Sequence, residues 1–250
     1  AAGAVAVAID DLATDAELAV LVPDSGARHA FAASAHLPRL HAVAVNQIRR
    51  LYRLDDAGPH HEVPHWTSLL AAEPGPAPHL DPNAPAMLVF TSGTTGPAKG
   101  TVHFHRDVMA ICDCFPRSTL KPTADDIFCG SPPLAFTFGL GGLVTFPMRF
   151  GASTALAEKA TPDVLPQIIY DNKATIVFTA PTAYRFMAEN AKKEHLASLK
   201  KGVSAGEHLP LATFEAWHRA TGIKLIDGLG STEMLHIFIS AAGDDIRPGA

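Results

Sequence analysis

The 250-residue chain is 47% hydrophobic and 18% charged, with a formal net charge of -5, a balance that specifies a folded body and excludes a disordered segment. The acidic excess argues against a nucleic-acid-binding protein, which carries a basic face. No apolar run is long enough to span a bilayer. Residues 1–9 are apolar but lack a basic start and run straight into Asp10 and Asp11, so no signal peptide is read. Three cysteines, Cys112, Cys114 and Cys129, fit neither a disulfide framework nor a usual zinc spacing. They are expected to be reduced, buried small residues of a cytoplasmic protein. The chain opens without Met and closes on Arg247-Pro248-Gly249, a turn typical of mid-domain, which predicts a fragment at both ends.

In the first third the periodicity is weak. Residues 5–9 and 19–22 read as short strands, and residues 39–52 as a strand or a short helix. His60-His61-Glu62-Val63-Pro64-His65 has metal-ligand residue types. Pro64 breaks any helix that would align them, so a solvated loop is expected. Prolines 74, 76, 78, 82 and 85 mark an ordered connector into the apolar strand 86–90.

That strand delivers the most informative stretch, Thr91-Ser92-Gly93-Thr94-Thr95-Gly96-Pro97-Ala98-Lys99-Gly100. Three glycines, four hydroxyl residues and one lysine stand together without a carboxylate. Glycine lets backbone N–H groups close on phosphate oxygens, Ser and Thr add donors, and Lys adds charge. The composition therefore suits a polyanion; a plain surface turn is the alternative. The loop of the P-loop NTPases is excluded, because it needs four residues between its glycines and Ser or Thr after the Lys. Here two residues separate Gly93 from Gly96, and Gly100 follows Lys99.

Beyond it a helix is expected from near His105 toward Phe115, with His103 and His105 packed or hydrogen-bonded rather than ligating. Strands are then predicted at 127–130, 153–157, 174–179, 202–204 and 223–226. Helices are predicted at 139–150, 162–172, 181–190 and 210–221. Strands alternating with helices specify an α/β fold with parallel sheets flanked by helices. Its ligands bind at loops beyond the carboxyl ends of the strands. Two subdomains are expected, 1–120 with the glycine-rich stretch and 121–250 with the remaining site loops.

Four further stretches carry candidate chemistry. Phe136-Thr137-Phe138-Gly139 stands before a glycine-rich helix and reads as core or as an aromatic slot. Ser204-Ala205-Gly206-Glu207 sits between a strand and a helix, where N–H groups receive an anion or a flat base, or where Glu207 favours the helix start. Asp227-Gly228-Leu229-Gly230-Ser231-Thr232-Glu233 places a carboxylate beside a hydroxyl after a glycine-freed turn, a pair suited to Mg²⁺ and phosphate. His236 is a lone imidazole in an apolar run, read as a satisfied core residue or as a cation for a carboxylate.

The ten residues 91–100 resemble the phosphate loop of the adenylate-forming enzymes, which include acyl-CoA synthetases, peptide-synthetase adenylation domains and luciferases. The four downstream stretches resemble the same family in the same order. Asp227-Gly228-Leu229-Gly230, Val102-His103-Phe104-His105-Arg106-Asp107 and Pro133-Leu134-Ala135-Phe136 are most similar to the aryl-CoA ligase branch, the benzoate and 2-aminobenzoate ligases. The resemblance covers residues 86–250 well and 1–85 poorly. It implies the fold of the family's large domain, with the small C-terminal domain and the ribose-binding Asp lying beyond residue 250.

The resemblance also implies a reaction. An aromatic acid attacks the α-phosphorus of ATP, releasing pyrophosphate, and the thiol of coenzyme A then displaces AMP. ATP phosphates would lie on Thr91, Ser92, Gly93, Thr94, Thr95, Gly96 and Lys99. Adenine would lie along Ser204, Ala205, Gly206 and Glu207, and AMP along Asp227, Gly228, Leu229, Gly230, Ser231 and Thr232. Glu233 would hold Mg²⁺; Lys99, Thr232 and Glu233 would act in catalysis. The acyl pocket would take Phe136, Thr137, Phe138, Gly139 and His236. The partners implied are small molecules only, with no nucleic acid and no membrane span, and the oligomeric state stays open. A ligase for a non-aryl acid, a non-catalytic nucleotide-binding module, a phosphotransferase and a protein-interaction domain are the alternatives. An acid-dependent exchange of pyrophosphate with ATP separates them.

Overall fold

A computed structural model describes residues 3–44, 47–73, 75–76, 78–91 and 98–247. By contact the chain divides into Ala1–Val102 and His103–Ala250, whereas the sequence reading places the division after residue 120. Residues 103–120 go with the second unit because Cys112, Phe115 and Leu120 pack with Phe128, Phe146 and Phe178.

The first unit holds strand β1 (Ala6–Val7), helix α1 (Asp15–Ser25), β2 (His29–Ala32), α2 (Leu37–Ala44), β3 (Arg50–Arg53), β4 (Pro85–Phe90) and the start of β5 (Gly100–Phe104). Strands β1, β4 and β5 form one sheet and β2 and β3 a parallel pair. The apolar run 19–22 is helical, not a strand. The Thr14 hydroxyl accepts from the Glu17 N–H, and the Glu17 carboxylate accepts from the Thr14 N–H at 2.7 Å, a reciprocal cap that commits the segment to α1. Leu18 and Val22 then fall on one buried face with Ala13 and Ala44. Residues 39–52 supply both elements the sequence left open. His60 pairs with Glu62 at 3.2 Å, and no group of three His, Cys, Asp or Glu is assembled for a metal among the described residues.

The second unit carries α3 (His105–Asp113), β6 (Ile127–Gly130), α4 (Thr137–Leu140), α5 (Phe146–Phe150), β7 (Ser153–Thr154), α6 (Leu165–Asn172), β8 (Ile176–Thr179), α7 (Pro181–Asn190), β9 (Lys201–Ala205), α8 (Leu211–Thr221), β10 (Ile226–Gly230) and β11 (Ile237–Ser240). The sheet order is β11-β10-β9-β8-β6-β7. All neighbours run parallel except β10 and β11. Successive strand residues face opposite sides. Cys129 and Val177 join Leu165, Tyr184, Met187 and Trp217 in one core, and Phe128, Ile176 and Phe178 join Phe115, Phe146 and Ile237 in the other. The sheet is thus covered on both faces, as parallel sheets require. The Tyr184 hydroxyl reaches the carbonyls of Val177 at 2.9 Å and Val203 at 3.0 Å, which gives this buried phenol its partner.

Three details depart from the sequence reading. Helix α6 starts at Leu165 with Pro166, not Pro162, in its first turn. Strand β10 begins at Ile226 and runs through Asp227-Gly228-Leu229-Gly230, so those residues are a strand and not a turn. Cys114 is exposed, while Cys112 and Cys129 are buried. Burial pushes the Cys129 thiol up to about 12, which keeps it protonated and inert.

Candidate active site

The helical segment after Phe136 is built around close approaches. Helices α4 and α5 are joined by a π-helical turn, Gly141–Thr145. Pro147 lacks the N–H an α-helix would use at that point, and the widened turn lies just ahead of it. A Cβ on Gly139 would stand 2.2 Å from the Pro133 carbonyl oxygen. A Cβ on Gly141 would stand 2.2 Å from His236 Cδ2, and one on Gly142 2.5 Å from Phe178 Cδ1. The space at residues 141 and 142 is therefore filled by His236 and Phe178, and is not an open slot. Phe138 turns inward against Phe178 and His236, with ring centroids 5.6 Å from each. Phe136 is 44% exposed, and Thr137 opens α4.

His236 is 2% exposed. Its ring lies 4.5 Å from that of Phe146 and within 6.1 Å of those of Phe115, Phe138 and Phe178. Nε2–H donates to the Phe138 carbonyl at 3.3 Å, and Nδ1 is a buried acceptor without a partner among the described residues. Burial lowers its pKa to about 4. The ring is thus neutral at pH 7, which differs from the cation the sequence suggested. Its packing also makes Gly141 sensitive. Gly141→Ala is expected to lower stability by about 1–3 kcal/mol through overpacking, seen as a drop in the urea midpoint at unchanged slope.

Ser204 and Asp227 are register partners on β9 and β10. Burial raises the Asp227 pKa, and the Ser204 hydroxyl offsets only part of that. Ala205 is buried at the end of β9. Gly206 follows in the left-handed region, φ 93°, where glycine is the residue without penalty. The Glu207 carboxylate accepts from the Thr182 N–H at 3.1 Å and so serves the start of α7, not that of α8 as the sequence suggested. Gly228 lets Ile237 of the antiparallel neighbour pass, since a Cβ there would lie 2.5 Å from Ile237 Cδ1. Leu229 is 58% exposed, and a register shift between Leu229 and Gly230 ends the regular ladder.

The chain then turns tightly. Leu235 N–H donates to the Thr232 carbonyl at 3.1 Å, and Met234 N–H donates to Ser231 Oγ at 3.2 Å. Glu233 and Met234 stand exposed at the apex while Leu235 is buried. His103 Nε2 lies 2.9 Å from the same Thr232 carbonyl, a contact that no local pattern signals.

In the first unit, the flanks of the glycine-rich stretch are clasped. Thr91 N–H donates to the Lys99 carbonyl at 2.9 Å, and Lys99 N–H donates to Thr91 Oγ1 at 3.2 Å. Lys99 is exposed. Ser92, Gly93, Thr94, Thr95 and Gly96, the expected phosphate ligands, lie outside the described residues.

The model of the AMP-binding enzyme family matches residues 1–249. The chain belongs to the AMP-binding enzyme family. This AMP-binding chain is 34% identical to the benzoate–CoA ligase of Thauera aromatica over 252 residues, 99% of the chain and 47% of that ligase. Among solved structures, it superposes on an anthranilate CoA ligase in complex with anthranoyl-AMP with a TM-score of 0.92 and 32% identity, covering 99% of the chain and 49% of that ligase. A benzoate CoA ligase from Burkholderia xenovorans LB400 gives 0.88 and 26%, over 98% of the chain and 49% of that ligase. The chain thus spans about half the length of these relatives. The α/β fold expected from the alternating strands and helices is that of their large domain. No helix among the described residues is long and apolar enough to cross a membrane.

Proposed function

We propose that the full-length protein is a cytoplasmic, AMP-forming aryl-CoA ligase, acting on an acid of the benzoate or 2-aminobenzoate type. The observation that carries this reading is the 34% identity to a benzoate–CoA ligase along essentially the whole chain. A carboxylate is a poor acylating agent because its leaving group is an oxide; exchanging that oxide for AMP supplies a good one. In the first half-reaction the acid oxygen attacks the α-phosphorus of ATP and the bond to pyrophosphate breaks. In the second, the CoA thiol adds to the activated carbonyl and AMP departs.

Charge builds on the phosphate oxygens in the first step, so catalysis is mostly positioning and electrostatic stabilisation. Lys99 would supply positive charge and the Thr232 hydroxyl a hydrogen bond. Glu233 at its exposed apex offers one carboxylate, the donor set of a Mg²⁺ that keeps waters and also binds substrate phosphates. Such an ion would neutralise phosphate charge. Exposed Phe136 and the Thr137 hydroxyl would contact the acyl group. If Thr137 hydrogen-bonds a ring amino group, Thr137→Ala will narrow the kcat/KM preference for 2-aminobenzoate over benzoate by about tenfold; an unchanged ratio removes that role. The reading as a whole is tested by exchange of labelled pyrophosphate into ATP by the full-length protein. A panel of benzoates should stimulate it, and phosphate release without any acid would contradict it.

A further inference from the structure

We infer that His103 is a positioning residue that holds the Thr232–Glu233 turn in its working shape. The inference rests on the reading of Thr232 and Glu233 given above and adds a residue to it. His103 lies on β5, the strand that leaves the glycine-rich stretch, and is 5% exposed. Its Nε2 is 2.9 Å from the Thr232 carbonyl oxygen. A carbonyl only accepts, so Nε2 carries the hydrogen and the tautomer is fixed.

The turn it meets is one that an isolated peptide would not keep. Leu235 has φ 64°, a left-handed conformation that a bulky residue adopts only when its surroundings impose it. The surroundings are visible: Leu235 is buried to 2%, and the Thr232 carbonyl accepts from both the Leu235 N–H and the imidazole. The ring bonds the main chain. It takes up neither the Thr232 hydroxyl nor the Glu233 carboxylate, so both side chains keep their chemistry while the backbone beneath them is pinned. A turn released from this anchor would carry Glu233 away from its place, and a displacement of an ångström at such a group is costly to rate.

The test compares His103→Leu with His103→Gln in the full-length protein. Gln retains an amide Nε2–H at similar reach; Leu keeps bulk and loses the donor. Amide hydrogen exchange at Met234 and Leu235 should quicken about tenfold or more in the Leu variant, as local opening does when a restraint is lost, and return toward native in Gln. In the exchange assay, the Leu variant should lose about tenfold or more in kcat and need more Mg²⁺ for half-maximal rate, with Gln restoring most of both. Should Leu fail to fold, His103→Asn, whose shorter amide does not reach the carbonyl, carries the same comparison. Native amide exchange at Leu235 in both donor-deficient variants overturns the inference. So does a native Mg²⁺ dependence in folded His103→Leu. Absence of acid-dependent exchange in the unsubstituted protein would instead overturn the proposed function, and amide exchange would still decide the role of His103.

Discussion

Glu233→Ala in the full-length protein is expected to lower acid-dependent ATP–pyrophosphate exchange by about 100- to 1000-fold, the loss typical of removing one group that stabilises developing charge. Folding should be unaffected, because Glu233 is exposed at the apex of its turn and the turn is held by the main chain of Thr232 and Leu235 and by His103. Lys99→Ala should produce a loss of the same order. The backbone clasp between Thr91 and Lys99 survives the substitution, since both of its bonds use the Lys99 main chain. Exchange rates within about threefold of native in both variants would contradict the assignment. A loss accompanied by a lowered melting temperature would point to structure instead.

Acidification should weaken the fold through His236. In the folded state burial holds its pKa at about 4, against an ordinary 6.5. Below pH 6.5 the unfolded chain takes up a proton that the folded chain refuses. Stability is therefore intact above pH 6.5 and falls as pH drops toward 4, by up to about 3 kcal/mol at about 1.4 kcal/mol per pH unit. Asp227 works in the opposite direction, since burial raises its pKa and its folded form keeps a proton to higher pH. His236→Phe, which keeps an aromatic ring among Phe115, Phe138, Phe146 and Phe178, should flatten the loss. Urea unfolding free energies at pH 7 and pH 4.5 measure the difference between the two proteins. Equal pH slopes would show that His236 titrates normally in the fold.

The second unit was the more legible in sequence. Its strands are short apolar runs bounded by helices, and 127–130 and 181–190 are observed as β6 and α7 with the expected ends. In the first unit the periodicity is weak. There Ala19-Val20-Leu21-Val22 has strand-like composition, and the deciding signal was the Thr14-x-x-Glu17 cap upstream. A carboxylate three residues after a threonine was the legible clue.

Within the second unit, several candidate stretches hold environments that their residue types alone did not announce. Phe136 to Gly139 and the glycine-rich helix after them left core and aromatic slot open; at Gly141 and Gly142 a Cβ would collide with His236 and Phe178, so that part of the segment is packed. The apolar run around His236 suggested a core residue and the family resemblance a cation; desolvation keeps the ring neutral. The strand through Asp227-Gly228-Leu229-Gly230 was hidden because two glycines mimic a turn, whereas one of them makes room for Ile237. His103 and Thr232 lie far apart in sequence, and nothing in a local pattern announces a contact at that separation.

The most direct measurement withholds coenzyme A. Full-length protein, ATP, Mg²⁺ and benzoate or 2-aminobenzoate are mixed, quenched and analysed by mass spectrometry. An aroyl-AMP bound to the enzyme is expected with an equal amount of released pyrophosphate; when CoA is added, the adenylate alone is converted to thioester and AMP and the pyrophosphate remains. Thioester formed with ADP and phosphate, or no adenylate from any aromatic acid, would contradict it.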